Sequence, residues 1–300
     1  MDAVLTLIAA PEGELQSSMV GRVCQALTAL GADIGAPDWL APGHACDLAF
    51  RGASPAQADD AARQALGPVA IDVVAQSAAG RRKRLLVADM ESTIIRQEML
   101  DELGAMAGLG PRISEITRRA MNGEIDFKDA LRERVGLLAG LPATALDEVY
   151  QRAELMPGAL ALVQTMRTSG AWCIMVSGGF RTFTRRVAAW VGFHEDFGND
   201  LEVADGRLTG GLVGPILDRD SKVAALLATA GRHRLPIGAT LAVGDGANDL
   251  PMLETAGLGI AFHAKPSVAA AARTRLDHAD LTGLLYAQGF RRSEITDGTA

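Results

Sequence analysis

LLVADMEST, residues 85 to 93, opens with four aliphatic residues in a row and breaks into a polar turn at Asp89. A short apolar run bounded by a turn has the length of a buried strand. In an open parallel sheet, ligands bind outside the carboxyl ends of the strands, so a carboxylate directly after such a run lies where chemistry is done. The pattern recurs downstream in WCIMVSGG (172–179), TLAVGDGAND (240–249) and GLGIAF (257–262), each followed by a turn and a helical segment. That alternation predicts parallel strands joined by right-handed helical crossovers, a Rossmann-like α/β sheet. Between the first two strands, about 80 residues carry helical periodicity and no strand signal, including PRISEITRRAMNG and DFKDALRERVGLLAG. They predict a helical cap over the sheet, about residues 98–153. The DG of NDLEVADGRLTG (199–210) predicts a hairpin.

Upstream, AVLTLIA (3–9) reads as a strand and residues 14–30 as a helix, with Leu15, Met19, Val23, Leu27 and Leu30 three and four apart. ACDLAF (45–50), a helix opened by Ser54 and AIDVVAQ (70–76) complete a small α+β unit over residues 1–80. SAAGRRKR (77–84) predicts a solvated linker to the second domain, residues 81–300, and the polar last ten residues predict a frayed end.

Composition narrows the partners. With 48% hydrophobic and 22% charged residues, the chain is an ordered globular protein. A formal charge of -7 and the shortness of RRKR give no general reason to bind nucleic acid or anionic lipid. No run of 18 apolar residues predicts a transmembrane helix. Cys24, Cys46 and Cys173 are odd in number and widely spaced, which suits a reducing cytoplasm, and the start Met1-Asp2 does not read as a secretory signal.

Three strand ends carry polar clusters: Asp89-Met90-Glu91-Ser92-Thr93, Ser177-Gly178-Gly179 and the GDGAND of Gly244 to Asp249. Lys222 adds a cation at a helix start. Each alone is equally well a strand end, a helix cap or a tight turn. Together, at one sheet edge, they supply hard oxygen ligands for Mg²⁺ and donors for phosphate. No GxxxxGK[ST] and no GxGxxG occurs, so phosphate is not held as in those nucleotide sites. A strand-end carboxylate can attack phosphorus when a metal and cations neutralise the repulsion.

DMEST, SGG, Lys222 and GDGAND, in this order on alternating β/α units, resemble the four motifs of the haloacid dehalogenase superfamily. Residues 85–266 resemble its phosphoserine phosphatases, with Glu98, the cap segment 120–141, MPG (156–158) and AFHAKP (261–266) as further points of likeness. The resemblance implies hydrolysis of phosphoserine, the last step of serine biosynthesis, through an aspartyl-phosphate on Asp89. It implies Mg²⁺ held by Asp89, the Glu91 carbonyl and Asp245, with Asp249 in support. Phosphate would meet Ser177, Gly178, Gly179, Lys222 and Asn248. Glu98 would take the substrate ammonium and Arg134 its carboxylate, while Met121 and Phe127 close the cap. His263 has no task in the motif set and reads as structural. Residues 1–80 resemble the ACT-like domains that precede some of these enzymes, for which scaffolding, dimerising and serine sensing are all open.

One position departs from the pattern. Glu91 stands where the family has a second Asp, the general acid and base. The carboxyl is kept and its reach lengthened by a methylene. Glu at this position also resembles phosphoserine:homoserine phosphotransferases, so transfer to an alcohol, or hydrolysis of another small phosphomonoester, stands as the alternative. A non-catalytic sensor is the third reading, against which Asp89, Lys222 and Asp245 all argue.

Overall fold

The computed structural model describes residues 1–121 and 124–298, Met121 by its backbone alone. Alternation within the apolar runs explains the larger of its two sheets. In β6 (Leu85–Ala88), Leu85 and Val87 enter one apolar cluster while Leu86 and Ala88 enter another on the opposite face, so the strand is buried on both sides. The sheet runs in the order β12-β11-β10-β6-β7-β8-β9. Here β7 is Trp172–Phe180, β8 Glu195–Ala204, β9 Arg207–Val213, β10 Thr240–Gly244, β11 Leu258–Phe262 and β12 Arg275–Leu276. All neighbours are parallel except β8 and β9. That antiparallel pair is the expected hairpin, with Asp205 (φ 50°) and Gly206 (φ 71°) in its turn.

From β6 the chain passes to β7 on one side and later to β10 on the other. The reversal of winding opens a crevice at the carboxyl ends of these three strands. Within the expected cap region 98–153 lie the helices α3 (Met99–Met106), α4 (Gly110–Met121), α5 (Phe127–Gly136) and α6 (Thr144–Tyr150). The remaining helices are α7 (Ala159–Thr168), α8 (Arg181–Val191), α9 (Arg219–Arg232), α10 (Leu250–Thr255), α11 (Pro266–Ala271) and α12 (Gly283–Ala287).

The smaller sheet has the order β2-β4-β1-β5, with β3 paired to β4, all antiparallel. Its strands are β1 (Ala3–Ala9), β2 (Asp33–Ile34), β3 (Asp38–Ala41), β4 (Ala45–Arg51) and β5 (Ile71–Ser77), with α1 (Ser17–Ala29) after β1 and α2 (Pro55–Leu66) after β4. Ser54 caps α2 as expected, in a reciprocal capping box with Gln57. The short strands β2, β3 and β12 were not expected, because two to four residues are too few to show a period.

Two expectations are corrected. The linker is solvated only in part: Ser77, Ala79, Gly80, Arg82 and Arg84 are exposed, but Arg81 and Lys83 are tied down. Arg81 forms an ion pair with Asp47 at 2.5 Å and donates to the Tyr286 carbonyl, while the ammonium of the buried Lys83 donates to the carbonyls of Gly80 and Gly238. The partners lie far off in sequence, so a run of cations looked free. Nor is the end frayed up to residue 298: Ile295 is buried in the larger core and the Thr296 amide donates to Thr165 Oγ1 at 3.0 Å.

Candidate active site

Three strands deliver the reactive groups. Asp89 follows β6, and its amide continues the ladder by donating to the Val243 carbonyl of β10. Ser177 lies inside β7, where pairing with β8 is interrupted between Val176 and Phe180. Asp245 to Asp249 follow β10. They meet with the cap helices around a cleft of about 440 Å³ lined by Asp89, Glu91, Glu98, Phe127, Arg134, Ser177, Gly178, Gly179, Asp245 and Asn248, all expected from the sequence.

At the sheet end the groups are buried and mutually bonded. The Lys222 ammonium, 2% exposed, reaches Asp89 Oδ1 at 2.8 Å and Asp249 Oδ1 at 2.6 Å from beneath the cleft. Its helix α9 is opened by Asp218, whose side chain accepts from the amides of Asp220 and Ser221. Ser177 Oγ accepts from the Gly179 amide at 2.9 Å, which fixes the hydroxyl. Asn199, buried on β8, donates to the Gly178 carbonyl at 2.7 Å and accepts from the Leu217 amide. The paired glycines have a steric reason. A Cβ on Gly178 would come within 3.3 Å of the Phe127 ring, and one on Gly179 within 2.7 Å of Glu91 Oε2.

Glu91 is anchored by the cap: its Oε1 accepts from the Met99 amide at 2.8 Å, in the first turn of α3, leaving Oε2 beside Gly179. Glu98 stands at the start of the same helix, its Oε1 accepting from Ser92 Oγ at 2.8 Å. Ser92 itself is held at φ 54°. Arg134, half-buried, bonds only neutral groups, the Ala130 carbonyl at 3.3 Å and Thr117 Oγ1 at 3.4 Å. Among the described residues no carboxylate pairs with this guanidinium, and burial lowers its pKa. A desolvated guanidinium so placed accepts a planar anion bidentately.

Electrostatics tests whether a cation suits the sheet end. Asp89, Asp245 and Asp249 bring one carboxylate oxygen each to within 4.8 Å of one another. One ammonium cannot neutralise three carboxylates. Burial works against the charge of Lys222, but Asp249 and Asp89 outweigh it and hold the amine above the usual lysine range. Burial and the charge of Asp249 push Asp89 up to about 8, and burial with Asp249 and Glu98 pushes Asp245 up to about 6. Hard oxygen donors with uncompensated charge fit a divalent cation. Burial and then Glu98 push Glu91 up to about 8, against the lowering effect of the Met99 amide.

Of the expected residues, Asp249 and Lys222 lie just behind the cleft wall, and the Met121 side chain falls outside the described residues. Asp101 and Asn199 were not singled out by sequence reasoning, and Thr93 and Lys265 were quoted within motifs without a role. Thr93 Oγ1 is 3.5 Å from Asp245 Oδ1, Asp101 and Lys265 line the cleft, and Asn199 steadies Gly178. Lys265 was visible within AFHAKP, beside the motifs but unweighed. Asn199 carried no signal, because its role depends on where β8 lies.

Residues 86–254 match the haloacid dehalogenase-like hydrolases. The chain is 46% identical over 217 residues to phosphoserine phosphatase SerB2 of Mycobacterium tuberculosis, covering 72% of this chain and 53% of that one. It is 48% identical over 203 residues to the phosphoserine phosphatase of Lactococcus lactis, covering 68% of this chain and 94% of that one. A solved structure of a probable phosphoserine phosphatase from Vibrio cholerae superposes with a TM-score of 0.78 at 30% identity, over 98% of this chain and 88% of that one. The chain thus spans about half the length of the mycobacterial relative and nearly all of the lactococcal one.

Proposed function

This chain belongs to the haloacid dehalogenase-like hydrolases, and from that premise we propose that it is a phosphoserine phosphatase, hydrolysing O-phospho-L-serine to L-serine and phosphate with Mg²⁺. The observation that carries the reading is the division of one cleft: Asp89, Ser177 and Asn248 at the sheet end face Glu98 and Arg134 under the cap. A phosphomonoester of an α-amino acid needs both ends.

Asp89, the Glu91 carbonyl and Asp245 would hold the ion, with Asp249 in support. When bound, it offsets the charge of the carboxylates and the phosphate, acting as a Lewis acid. An Asp89 oxygen attacks phosphorus as the bond to the serine oxygen breaks, and Glu91 gives that oxygen its proton. Burial and the charge of Glu98 raise the Glu91 carboxyl, in the direction of holding the proton that this step requires. Serine leaves. Glu91, now a carboxylate, takes a proton from water, whose oxygen attacks phosphorus and breaks the aspartyl–phosphate bond. Lys222 neutralises Asp89 between turnovers. Ser177 Oγ, the Gly178 amide and Asn248 orient the phosphate, and the Gly179 amide steadies Ser177 Oγ. Phe127 against Gly178 excludes water from the closed cleft.

Residues 1–80, in the order β-α-β-β-β-α-β, are on this reading an ACT-like domain that scaffolds or dimerises, joined to the phosphatase domain 81–300. A cytoplasmic setting suits the substrate and the three free cysteines; among the described residues no helix is long and apolar enough to cross a membrane.

The test is phosphate release from a panel of phosphomonoesters with Mg²⁺, repeated with homoserine present. Preference for phosphoserine with free phosphate as product supports the reading. Label transferred to homoserine makes the enzyme a phosphotransferase, the alternative raised by Glu91. No release from any ester overturns both.

A further inference from the structure

The charges around the cleft do not balance in favour of an anionic substrate. Five carboxylates line it against two cations, Arg134 on the cap and Lys265 on the core. Phosphoserine brings a phosphate and a carboxylate for one ammonium, so its approach is opposed to the extent that the ion held by the carboxylates leaves their charge unmet, and a cation at the entrance eases it. Lys222 does not serve there, because it is buried and paired to Asp89 and Asp249. Lys265 is exposed, and among the described residues its ammonium has no carboxylate partner.

The loop that carries Lys265 is fixed, although its side chain is free. His263 holds φ 45°, its amide donates to the Leu276 carbonyl at 2.9 Å, and its Nε2 lies 2.8 Å from the Ala279 carbonyl. Ala279 is held in turn. Its amide, with those of Asp277 and His278, donates to the carboxylate of Asp72, fully buried on β5 of the N-terminal unit. At the other end, the Lys265 amide points at the Asp245 carbonyl, 3.4 Å away, and the Lys265 carbonyl accepts from Val268 in the first turn of α11. The backbone of Lys265 is thereby tied to the strand end that carries Asp245 and Asn248, across the cleft from Arg134.

We propose that Lys265 is a substrate-binding residue that draws in and holds the phosphate group at the mouth of the cleft, leaving the carboxylate to Arg134. The inference rests on the phosphatase reading for its substrate, but its chemistry is that of any phosphomonoester or of phosphate itself. An exposed lysine on a fixed loop can follow an anion inward and release it, as a buried pair cannot.

Lys265→Met keeps the stem and the backbone bonds, and Lys265→Arg restores the charge. With Mg²⁺ present, the Met variant is expected to lose about tenfold in kcat/KM, equally for phosphoserine and for phosphoethanolamine, which has no carboxylate. The loss should sit in KM, shrink as salt rises because it is electrostatic, and be largely recovered by Arg. Inorganic phosphate should inhibit the variant about tenfold more weakly. Calorimetric binding of inorganic phosphate to the Mg²⁺-loaded protein separates the two readings. If the wild type binds phosphate but does not hydrolyse phosphoserine, while Lys265→Met weakens that binding, the proposed activity fails and the role of Lys265 stands. A loss confined to phosphoserine, or unchanged KM and phosphate binding, overturns it.

Discussion

The two ends of the cleft are built on opposite principles. At the sheet end, Asp89, Ser177, Lys222, Asp245 and Asp249 are all buried, and the bonds of Lys222 to Asp89 and Asp249, of the Gly179 amide to Ser177 and of Thr93 to Asp245 hold them in place. Under the cap, Glu98 is exposed and Arg134 half-buried, and Phe127 is 38% exposed even though it touches the core. On the proposed reading, the first end is preorganised for a charge that develops during reaction. The second is assembled from side chains of the cap helices and is suited to recognising what the reacting group is attached to. The difference teaches that chemistry and selection are separable in this molecule, and that substitutions at the two ends should fail in different ways.

The largest effects belong to the sheet end. Asp89→Asn is isosteric and keeps the sheet intact, so phosphate release should vanish while circular dichroism is unchanged. Release near the wild-type rate removes Asp89 as nucleophile. Glu91→Gln comes next. It retains the Met99 hydrogen bond through its amide oxygen but carries no transferable proton, so turnover should fall by the ~10² to 10⁴ that general acid–base catalysis contributes. Glu91→Asp sharpens the comparison, because the shorter arm cannot both accept from the Met99 amide and reach the space beside Gly179. We expect it to be slower than the wild type. A faster Asp variant means that the backbone has not adapted to glutamate.

How far each end was legible in sequence follows the same division. The parallel strands β6, β7, β10 and β11 announced themselves because they are almost wholly buried apolar runs, and a polar turn after such a run is a local signal. Asp89, Ser177 and Asp245 could therefore be located one by one, and only their convergence needed the fold. Glu98 and Arg134 are ordinary helix charges to any local reading; only resemblance singled them out. What stayed hidden was pairing across long sequence separations. Asp72 bonded to residues 277–279 and Arg81 bonded to Asp47 both turned an expected open linkage into a docked one. Ile8, Ala45 and Val74 of the smaller sheet share one apolar cluster with the larger.

At the cap end the effect should be smaller and selective. Arg134→Ala removes a half-buried guanidinium that has no carboxylate partner among the described residues. Truncating one partner of a charge-assisted pair costs about 2 kcal/mol at the low end, roughly 30-fold in kcat/KM. That loss should fall on phosphoserine and spare phosphoethanolamine. An equal loss on both esters would show that Arg134 serves the fold of the cap and not the substrate carboxylate.

The smallest effect tests what joins the two ends. Lys128, one residue after Phe127 on α5, forms an ion pair with Asp218 at 2.8 Å, and Asp218 caps the helix that carries Lys222. This pair ties cap to core at the cleft. The bond to Lys128, helped by the Ser221 amide, holds the Asp218 carboxyl down to about 2, from an ordinary 3.8. A depressed folded-state pKa contributes above the unfolded value and is lost only as the pH falls through the folded one. Between pH 5 and 9 the pair is thus constant, and salt rather than pH is the handle on it. Both side chains are partly exposed, and such pairs contribute up to about 1 kcal/mol. Lys128→Met should therefore raise KM for phosphoserine by up to about fivefold at low salt, with the difference fading toward 1 M salt, where the screening length is about 3 Å. Because the buried groups of the sheet end do not depend on Lys128, kcat should hold within about twofold, less than the ~1 kcal/mol that such a pair contributes at most. A large fall in kcat with KM unchanged would mean that closing the cap organises the chemistry itself, and the separation of the two ends would not hold.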